Sequence, residues 1–270
     1  MAGNRIETSK IKMKILCIGD VTGQGGVKLL SSKLWKFRKE NGIDFCVVNA
    51  ENAGFITGAS PDAAEALFSA GADVLTGGNH TLKNRSVYSY IDEHEYMLRP
   101  LNFSEDAPGQ GYCIADVMGY RVLVISVMGN VHIEPTLDAP YAYIERALRR
   151  EEGRYDFAIM DVHAEATGEK LAIAHVFDGR ISIIYGTHTH VPTADMQILP
   201  RGTGYVTDLG MCGETGGILG MDVDSVIKRM KSHLPHSFKV ADGPAEADGV
   251  IFDISTSDFK VKDVKRIKIK

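Results

Sequence analysis

The sequence predicts an α/β domain with two mixed sheets, and three observations support this prediction. Over the first two thirds of the chain, short apolar runs rich in β-branched residues alternate with amphipathic stretches of helical period, which is the pattern of βαβ units with parallel strands. Two later strand-like runs are joined by Met118-Gly119-Tyr120, a hairpin signal, and the last third is rich in short strands, so antiparallel pairing is expected as well. No proline- or serine-rich break divides the 270 residues, which favours one domain.

The predicted strands are short runs of apolar and β-branched residues. The first reads MKILCIG and the second FCVVN, and their continuous apolar character is typical of buried strands. In chain order, strands are predicted at residues 13–19, 45–49, 73–76, 112–117, 121–128, 156–162, 181–186, 193–199, 204–207, near 238, 249–254 and 259–270.

The predicted helices show apolar spacing and local start or stop signals. In the first, Val27, Leu30 and Leu34 recur every three or four residues, and Asn41-Gly42 marks the end. Ser60-Pro61 supplies an N-cap and a first-turn proline for the next helix. The full set of predicted helices is 25–41, 60–70, 84–93, 141–150, 169–177 and 222–233.

The composition excludes several classes of protein. With 44% hydrophobic residues, 24% charged residues, a net charge of −5 and a pI near 6.0, the chain is typical of a globular protein and lacks the basic character that broad nucleic-acid binding needs. The alternating basic and apolar residues at 260–270 are therefore interpreted as a half-exposed edge strand with outward lysines. No run approaches the ~20 apolar residues of a membrane span, so no membrane association is expected.

The N-terminal residues and the cysteines predict a cytoplasmic location. Residues 1–12 carry charge but no apolar signal-peptide core, and we interpret them as a polar N-terminal extension before a domain that spans 13–270. The four cysteines are far apart and form no CxxC pair, which is typical of buried thiols in a reducing compartment.

Polar residues of metal-ligand type follow five predicted strands. Because ligands gather where the carboxyl ends of strands meet loops, we expect these residues to converge. His188 and His190 alternate on an extended segment and so face the same way. Imidazole and oxygen ligands without a thiolate favour iron, manganese or zinc over calcium or a structural zinc cluster. The five motifs are GD at 19–20, NAENAG at 49–54, GGNH at 77–80, DVHAE at 161–165 and GTHTH at 186–190.

Glycine makes up 28 of the 270 residues, or about 10%, whereas the average in proteins is about 7%. Several glycines flank the proposed ligands, where strands must turn sharply. A second group within 202–220 has no assigned role; its 210–220 part is left open among a subunit contact, an active-site flap and a compact loop. The glycines beside the ligands are Gly19, Gly23, Gly54, Gly77, Gly78 and Gly186.

The order of these motifs resembles the calcineurin-like metallophosphoesterase family, whose pattern runs D-x-H, GD-x-x-(D/N), GNH(D/E), H and GH-x-H. Thr22 replaces the histidine of the first motif, and Glu51-Asn52 stands at the bridging-aspartate region. These departures, together with RPLNF at 99–103 and GMCGETGGILGMD at 210–222, resemble the YmdB-type subfamily. The matching residues are Asp20, Asn79, His80, His163, His188 and His190.

The resemblance implies a four-layer αββα sandwich with a centre of two metal ions. Iron is the usual metal, with manganese, magnesium or zinc as alternatives. Glu51 would bridge the two ions. The remaining ligands would be Asp20, Asn52 and His190 at one ion and Asn79, His163 and His188 at the other.

The activity implied by the resemblance is hydrolysis of a small phosphodiester by a metal-bound hydroxide. The expected substrates are 2′,3′-cyclic nucleotides, giving 3′-monophosphates, with 3′,5′-cyclic AMP as a further one. His80 adjoins a ligand and is the candidate general acid. Arg99 and Thr22 are candidate substrate contacts, and Glu165 is a candidate for orienting a ligand.

Two other functions stay open at this stage. One is a phosphomonoesterase or protein phosphatase on the same scaffold. The other is a nucleotide- or RNA-binding regulator with incidental turnover. The sequence leaves a homo-oligomer open as well.

Overall fold

Two mixed β-sheets packed face to face form the centre of the structure, a computed structural model that describes residues 12–54 and 57–270. The predicted polar extension at 1–12 lies outside these ranges except for Lys12, which begins the first strand. In chain order the strands are β1 (Lys12–Ile18), β2 (Asp20–Val21), β3 (Phe45–Asn49), β4 (Val74–Thr76), β5 (Tyr112–Val117), β6 (Tyr120–Met128), β7 (Phe157–His163), β8 (Ile183–Thr187), β9 (Gln197–Ile198), β10 (Gly204–Val206), β11 (Met211–Glu214), β12 (Ala245–Ser255) and β13 (Val261–Ile269).

Six α-helices and two short 3₁₀ turns join these strands in the described part of the chain. The helices are α1 (Gly23–Asn41), α2 (Pro61–Ala70), α3 (Tyr88–Glu93), α4 (Tyr141–Arg150), α5 (Thr167–Phe177) and α6 (Val223–Ser232), and the 3₁₀ turns are Thr81–Lys83 and Arg85–Val87.

Each sheet contains both parallel and antiparallel pairs. The first sheet has the order β2-β11-β12-β1-β3-β4, with β13 paired to β12. In it β1, β3 and β4 are parallel, whereas β12 runs antiparallel to β1, β11 and β13. The second sheet has the order β5-β6-β7-β8-β10-β9, with β6, β7, β8 and β10 parallel. The mixed pairing agrees with the prediction.

Three apolar cores separate four layers. Because side chains alternate across a strand, Ile15 of β1 faces the second sheet, while Leu16 faces the helices. The core between the sheets joins residues such as Ile15 and Ile159; the outer cores join the first sheet to α1 and α2 and the second sheet to α4 and α5. The predicted αββα sandwich is confirmed.

Local signals predicted most elements within a few residues of their bounds. The Ser60 side chain caps α2 by accepting a hydrogen bond from the Ala63 amide. Met118 and Gly119 form the β5–β6 turn, both with positive φ. The lysines of β13 face outward, as expected for the edge strand.

Two predictions about elements were wrong, and one strand was not predicted. The segment at 210–220, left open among a subunit contact, an active-site flap and a compact loop, contains β11, a strand that pairs with β12 and β2 and so depends on long-range partners. No strand forms near 238, where Val240 makes only an isolated bridge with Met221. The expected helix at 84–93 is divided, because Asn84 caps a 3₁₀ turn before α3 begins at Tyr88.

Within 12–54 and 57–270, no helix is long and apolar enough to cross a membrane. All four cysteines are free and buried. Burial raises the pKa of each thiol, which keeps it protonated and unreactive.

Candidate metal centre

The predicted ligands collect at one edge of the sandwich, where strands of both sheets end. β1, β3 and β4 run parallel in one sheet and β7 and β8 in the other, so the residues that follow them reach a common region. Strand order therefore brings together residues that are far apart in the sequence. They are Asp20, Glu51, Asn52, Asn79, His163, His188 and His190.

Glu51 is shared by two groups of ligand-type atoms. In one group, atoms of Asp20, Glu51 and His190 all lie within 4.8 Å of one another, and in the other Glu51 is joined by His163 and His188 within the same limit. His163 Nε2 lies 3.3 Å from Glu51 Oε2 and 3.1 Å from His188 Nδ1. This is the composition of two neighbouring cation sites with one common carboxylate.

The amide of Asn79 adds an oxygen to the second group. Its Nδ2 donates to the carbonyl oxygen of Glu134 at 3.0 Å, and this bond orients the side chain. Oδ1 then lies 3.0 Å from His163 Nε2. A neutral oxygen at this position is a suitable ligand for a hard or borderline cation.

Two buried atoms of the first group have no hydrogen-bond partner. They are Asp20 Oδ1 and His190 Nδ1. Leaving such an atom unpaired costs about 1–3 kcal/mol, so proteins rarely keep two of them together without a ligand. A cation contacted by carboxylate oxygen and imidazole nitrogen satisfies atoms of these types, so the residues present fit the metal centre that the motifs imply.

Charge is unevenly distributed among these buried groups. Burial raises the pKa of Asp20. Burial alone would also raise the pKa of Glu51, but charge on His163 and hydrogen bonds from His163 and His80 hold it well below its usual range. Burial opposes charge on His163, yet Glu51 and Asp20 raise its pKa to about 9. A positive charge is therefore favoured between the two carboxylates, and a metal ion can supply it in place of a proton.

His163 is oriented through its second ring nitrogen. Thr187 Oγ1 donates to Asp161 Oδ1 at 2.7 Å, and it lies 2.9 Å from His163 Nδ1. The hydroxyl has one proton and gives it to the carboxylate, so it accepts from Nδ1 of the imidazole. In its neutral form His163 then presents the Nε2 lone pair to the ligand group, as histidine ligands of metals commonly do.

A buried ion pair fixes the loop that carries His188 and His190, and sequence reasoning missed it. Lys170 Nζ donates to the Thr187 carbonyl at 2.7 Å and to Asp208 Oδ2 at 2.9 Å. Both histidines have positive φ values, 99° and 64°, a conformation that needs support from its surroundings. The signal in the sequence is that this lysine precedes apolar residues of the predicted fifth helix by three, four and seven positions, and so lies on the same helix face.

Asn52 links His80 to Glu51. Its Oδ1 lies 2.8 Å from His80 Nδ1, and its Nδ2 donates to Glu51 Oε1 at 2.5 Å. An amide oxygen only accepts, so Nδ1 of His80 donates its proton to this bond. Nε2 is then available to exchange a proton with a substrate. The backbone amide of His80 also donates to Glu51 Oε2 at 3.0 Å.

Two of the other candidate residues lie at the cluster. Glu165 Oε2 is 3.2 Å from His188 Nε2, so it contacts a predicted ligand from the side away from His163. Thr22 is buried beside the cluster, and its hydroxyl donates to the Asp20 carbonyl at 3.3 Å.

Arg99 is not brought to the cluster. Its guanidinium donates to backbone carbonyls within residues 100–108, and it lines a separate cavity. The arginine is therefore committed to the loop that follows it, and we do not retain it as a substrate contact.

A cavity of about 300 Å³ opens directly above the cluster. His80, His188 and His190 line its polar side, together with Glu51 and Asn52. The cavity can therefore hold a small molecule in contact with the candidate metal centre.

A family model described as YmdB-like protein matches residues 16–267. The chain belongs to the YmdB-like family. It is 40% identical over 257 residues to the 2′,3′-cyclic-nucleotide 2′-phosphodiesterase of Bacillus subtilis strain 168, covering 95% of this chain and 97% of the relative.

Solved structures agree with this membership. A hypothetical protein from Thermus thermophilus superposes with a TM-score of 0.88 at 36% identity, covering 95% of this chain and 98% of the other. A novel phosphatase from Mycoplasma pneumoniae gives 0.89 at 30% identity, covering 97% and 94%. A 5′-nucleotidase precursor, also from Thermus thermophilus, gives 0.59 at 10% identity, covering 96% of this chain and 54% of the other, and shares the fold alone.

Proposed function

We propose that this YmdB-like protein is a metal-dependent phosphodiesterase that hydrolyses 2′,3′-cyclic nucleotides to 3′-monophosphates. The observation that carries the proposal is the pair of ligand groups that share Glu51 on the floor of a cavity. The Bacillus subtilis relative, which is similar over nearly its whole length, is named for this activity.

We assign the metal ligands as the family resemblance implies. Glu51 is the shared ligand; Asp20, Asn52 and His190 complete one site, and Asn79, His163 and His188 the other. Two bound cations would polarise the phosphoryl oxygens and lower the pKa of a water molecule. Iron is the first choice and manganese, magnesium or zinc the alternatives, because imidazole and oxygen ligands suit all four to different degrees.

His80 has the geometry of a proton donor to the leaving group. Hydrolysis to a 3′-monophosphate breaks the bond between phosphorus and the ribose 2′ oxygen, and water supplies a hydroxyl to phosphorus and a proton to that oxygen. Asn52 Oδ1 accepts from Nδ1 of the imidazole, so the second proton of the imidazolium form lies on Nε2, and its transfer to the ribose oxygen leaves a neutral imidazole. Thr22 lines the same cavity and remains a candidate contact to substrate.

A substrate panel tests the activity. The metal-loaded protein is expected to hydrolyse 2′,3′-cyclic AMP and bis-p-nitrophenyl phosphate at least about tenfold faster than p-nitrophenyl phosphate, a difference of about 1.4 kcal/mol in barrier. Turnover of 3′,5′-cyclic AMP is measured in the same panel, and metal content is determined by mass spectrometry. Absence of bound metal together with no diester hydrolysis in added iron or manganese contradicts the proposal.

A second candidate function is phosphomonoester hydrolysis. The Mycoplasma pneumoniae relative, 30% identical, is described as a phosphatase. Faster release from p-nitrophenyl phosphate than from the diesters in the same panel supports this candidate. Nucleotide binding with bound metal but no turnover supports a regulator instead.

We also propose a cytoplasmic location and a single domain at 13–270. Four buried thiols without disulfides suit a reducing compartment. The core between the sheets contains residues from Met13 to Val261, so both halves of the chain contribute to one interior.

Gly78→Ala is expected to lower activity by about 10²-fold, the effect of a displacement of about 1 Å at a reacting centre. A Cβ at this position would lie 2.4 Å from Nε2 of the His163 ring, so the imidazole must move. Turnover of 2′,3′-cyclic AMP and metal content are the measurements.

Gly168→Ala is the matched control for Gly78→Ala. A Cβ there meets nothing within 4 Å, and the site lies in the first turn of α5. We expect full activity from this control. Full activity and full metal content in Gly78→Ala as well would show that His163 does not need its present position.

A further inference from the structure

The cavity above the candidate metal centre has an apolar side opposite its polar residues. This side, called the apolar wall below, is formed by Ile218, Leu219, Met221, Val226, Met230 and Phe238. Leu219 is 47% exposed and Met230 is 69% exposed. Large apolar groups thus remain open to solvent at the mouth of a polar site, a combination that is common where a ligand covers them.

The turn at the start of the apolar wall has an unfavourable residue in it. Ile218 and Met221 exchange backbone hydrogen bonds of 2.8 and 2.9 Å, and between them Leu219 and Gly220 have φ values of 51° and 80°. Two-residue turns with positive φ at both positions favour asparagine, aspartate or glycine at the first position. A leucine at this position is strained, so its replacement by asparagine is not expected to destabilise the turn.

The apolar wall is fixed by contacts on its outer side. The Asp222 amide donates to the Lys239 carbonyl and the Ala241 amide to the Gly220 carbonyl, both at 2.9 Å. The guanidinium of Arg229 lies 4.7 Å from the centre of the Phe238 ring. The surface is therefore preformed.

We propose that the apolar wall seats the nucleobase of the substrate, an inference that rests on the proposed function. With phosphate at the ligand groups, the rest of a nucleotide extends into the 300 Å³ cavity, of which the apolar wall forms one side. A base is flat and has apolar faces, and aliphatic, thioether and aromatic side chains contact such faces by dispersion. The side chains of the apolar wall offer no strong hydrogen-bond donor or acceptor to a base edge, so all four bases are accepted.

Leu219→Asn separates this role from folding. Asparagine suits the turn, so thermal stability is kept or raised, while the apolar contact is lost. The measurement is the ratio of kcat/KM for 2′,3′-cyclic AMP to that for the 2′,3′-cyclic phosphate of methyl riboside, which has no base. We expect a ratio of at least about tenfold in the unsubstituted protein. The ratio should fall about three- to tenfold in Leu219→Asn and in Met230→Ala, because kcat/KM falls for 2′,3′-cyclic AMP but not for the cyclic phosphate of methyl riboside.

Met118→Asn is the matched control. Met118 is 57% exposed and occupies the same position in a turn of the same kind, with φ values of 54° and 84° at Met118 and Gly119. The turn lies at the start of β6, whereas the other end of β6 pairs with His163. The substrate ratio should be unchanged in this variant.

The outcomes separate this inference from the proposed function. If neither cyclic phosphate is hydrolysed, both the base-binding role and the proposed function are overturned. Equal kcat/KM for the two substrates, or an equal loss on both in Leu219→Asn, overturns the base-binding role alone. A spread greater than about tenfold among the cyclic phosphates of adenosine, guanosine, cytidine and uridine overturns the expected tolerance of bases.

Discussion

Replacing Glu51 by glutamine is expected to remove most of the bound metal and to lower kcat/KM for 2′,3′-cyclic AMP by more than about 10³-fold. The size of this loss follows because partners that only orient a metal ligand already contribute about 10–100-fold, and Glu51 belongs to both ligand groups. Glutamine keeps the shape but loses the charge and one acceptor oxygen, so it cannot serve two cations. Metal per chain and kcat/KM are measured on the same preparation.

Glu165→Gln provides a graded control for this experiment. Glu165 contacts the side of His188 that faces away from the cluster, at 3.2 Å, and its side chain is half exposed. Its removal should cost no more than about 10–100-fold and leave most of the metal bound. If Glu51→Gln retains full metal content, or loses no more activity than Glu165→Gln, Glu51 is not the shared ligand.

The predictable part of the fold and site is the part that local sequence signals encode. β3 and α4 are found at their predicted bounds, because a continuous apolar run marks the strand and apolar residues at helical spacing mark the helix. The motifs that contain the predicted ligands could be found because each lies at or within a few residues of the carboxyl end of a strand, where ligands gather in α/β folds.

What the sequence could not show depends on pairing between distant residues. Lys170 and Asp208 are 38 residues apart, and nothing local to either indicates that they share a hydrogen bond. β11 forms because β12 and β2 flank it, although its glycine-rich surroundings suggest a loop. Arg99 resembled a phosphate contact because its charge is visible in the sequence, whereas the backbone carbonyls that it binds are not.

His80→Ala is expected to keep the metal ions and to lower turnover of 2′,3′-cyclic AMP by about 10²–10⁴-fold, the usual contribution of a proton donor. Loss of the proton donor matters most when the leaving group is a basic ribose oxygen. Bis-p-nitrophenyl phosphate releases a nitrophenolate that is stable as an anion, so its hydrolysis should fall much less. The two substrates and the metal content are compared in one preparation.

His175→Ala serves as the control, because this histidine is exposed on α5, outside the ligand cluster and the cavity above it. It should leave both activities unchanged. Loss of metal together with both activities in His80→Ala would make His80 a ligand. An equal fall on both substrates with metal retained would mean that His80 contacts the phosphoryl group and does not protonate the leaving oxygen. A selective loss on the ribose substrate is expected only if Nε2, left available by the bond between Nδ1 and Asn52, delivers the proton.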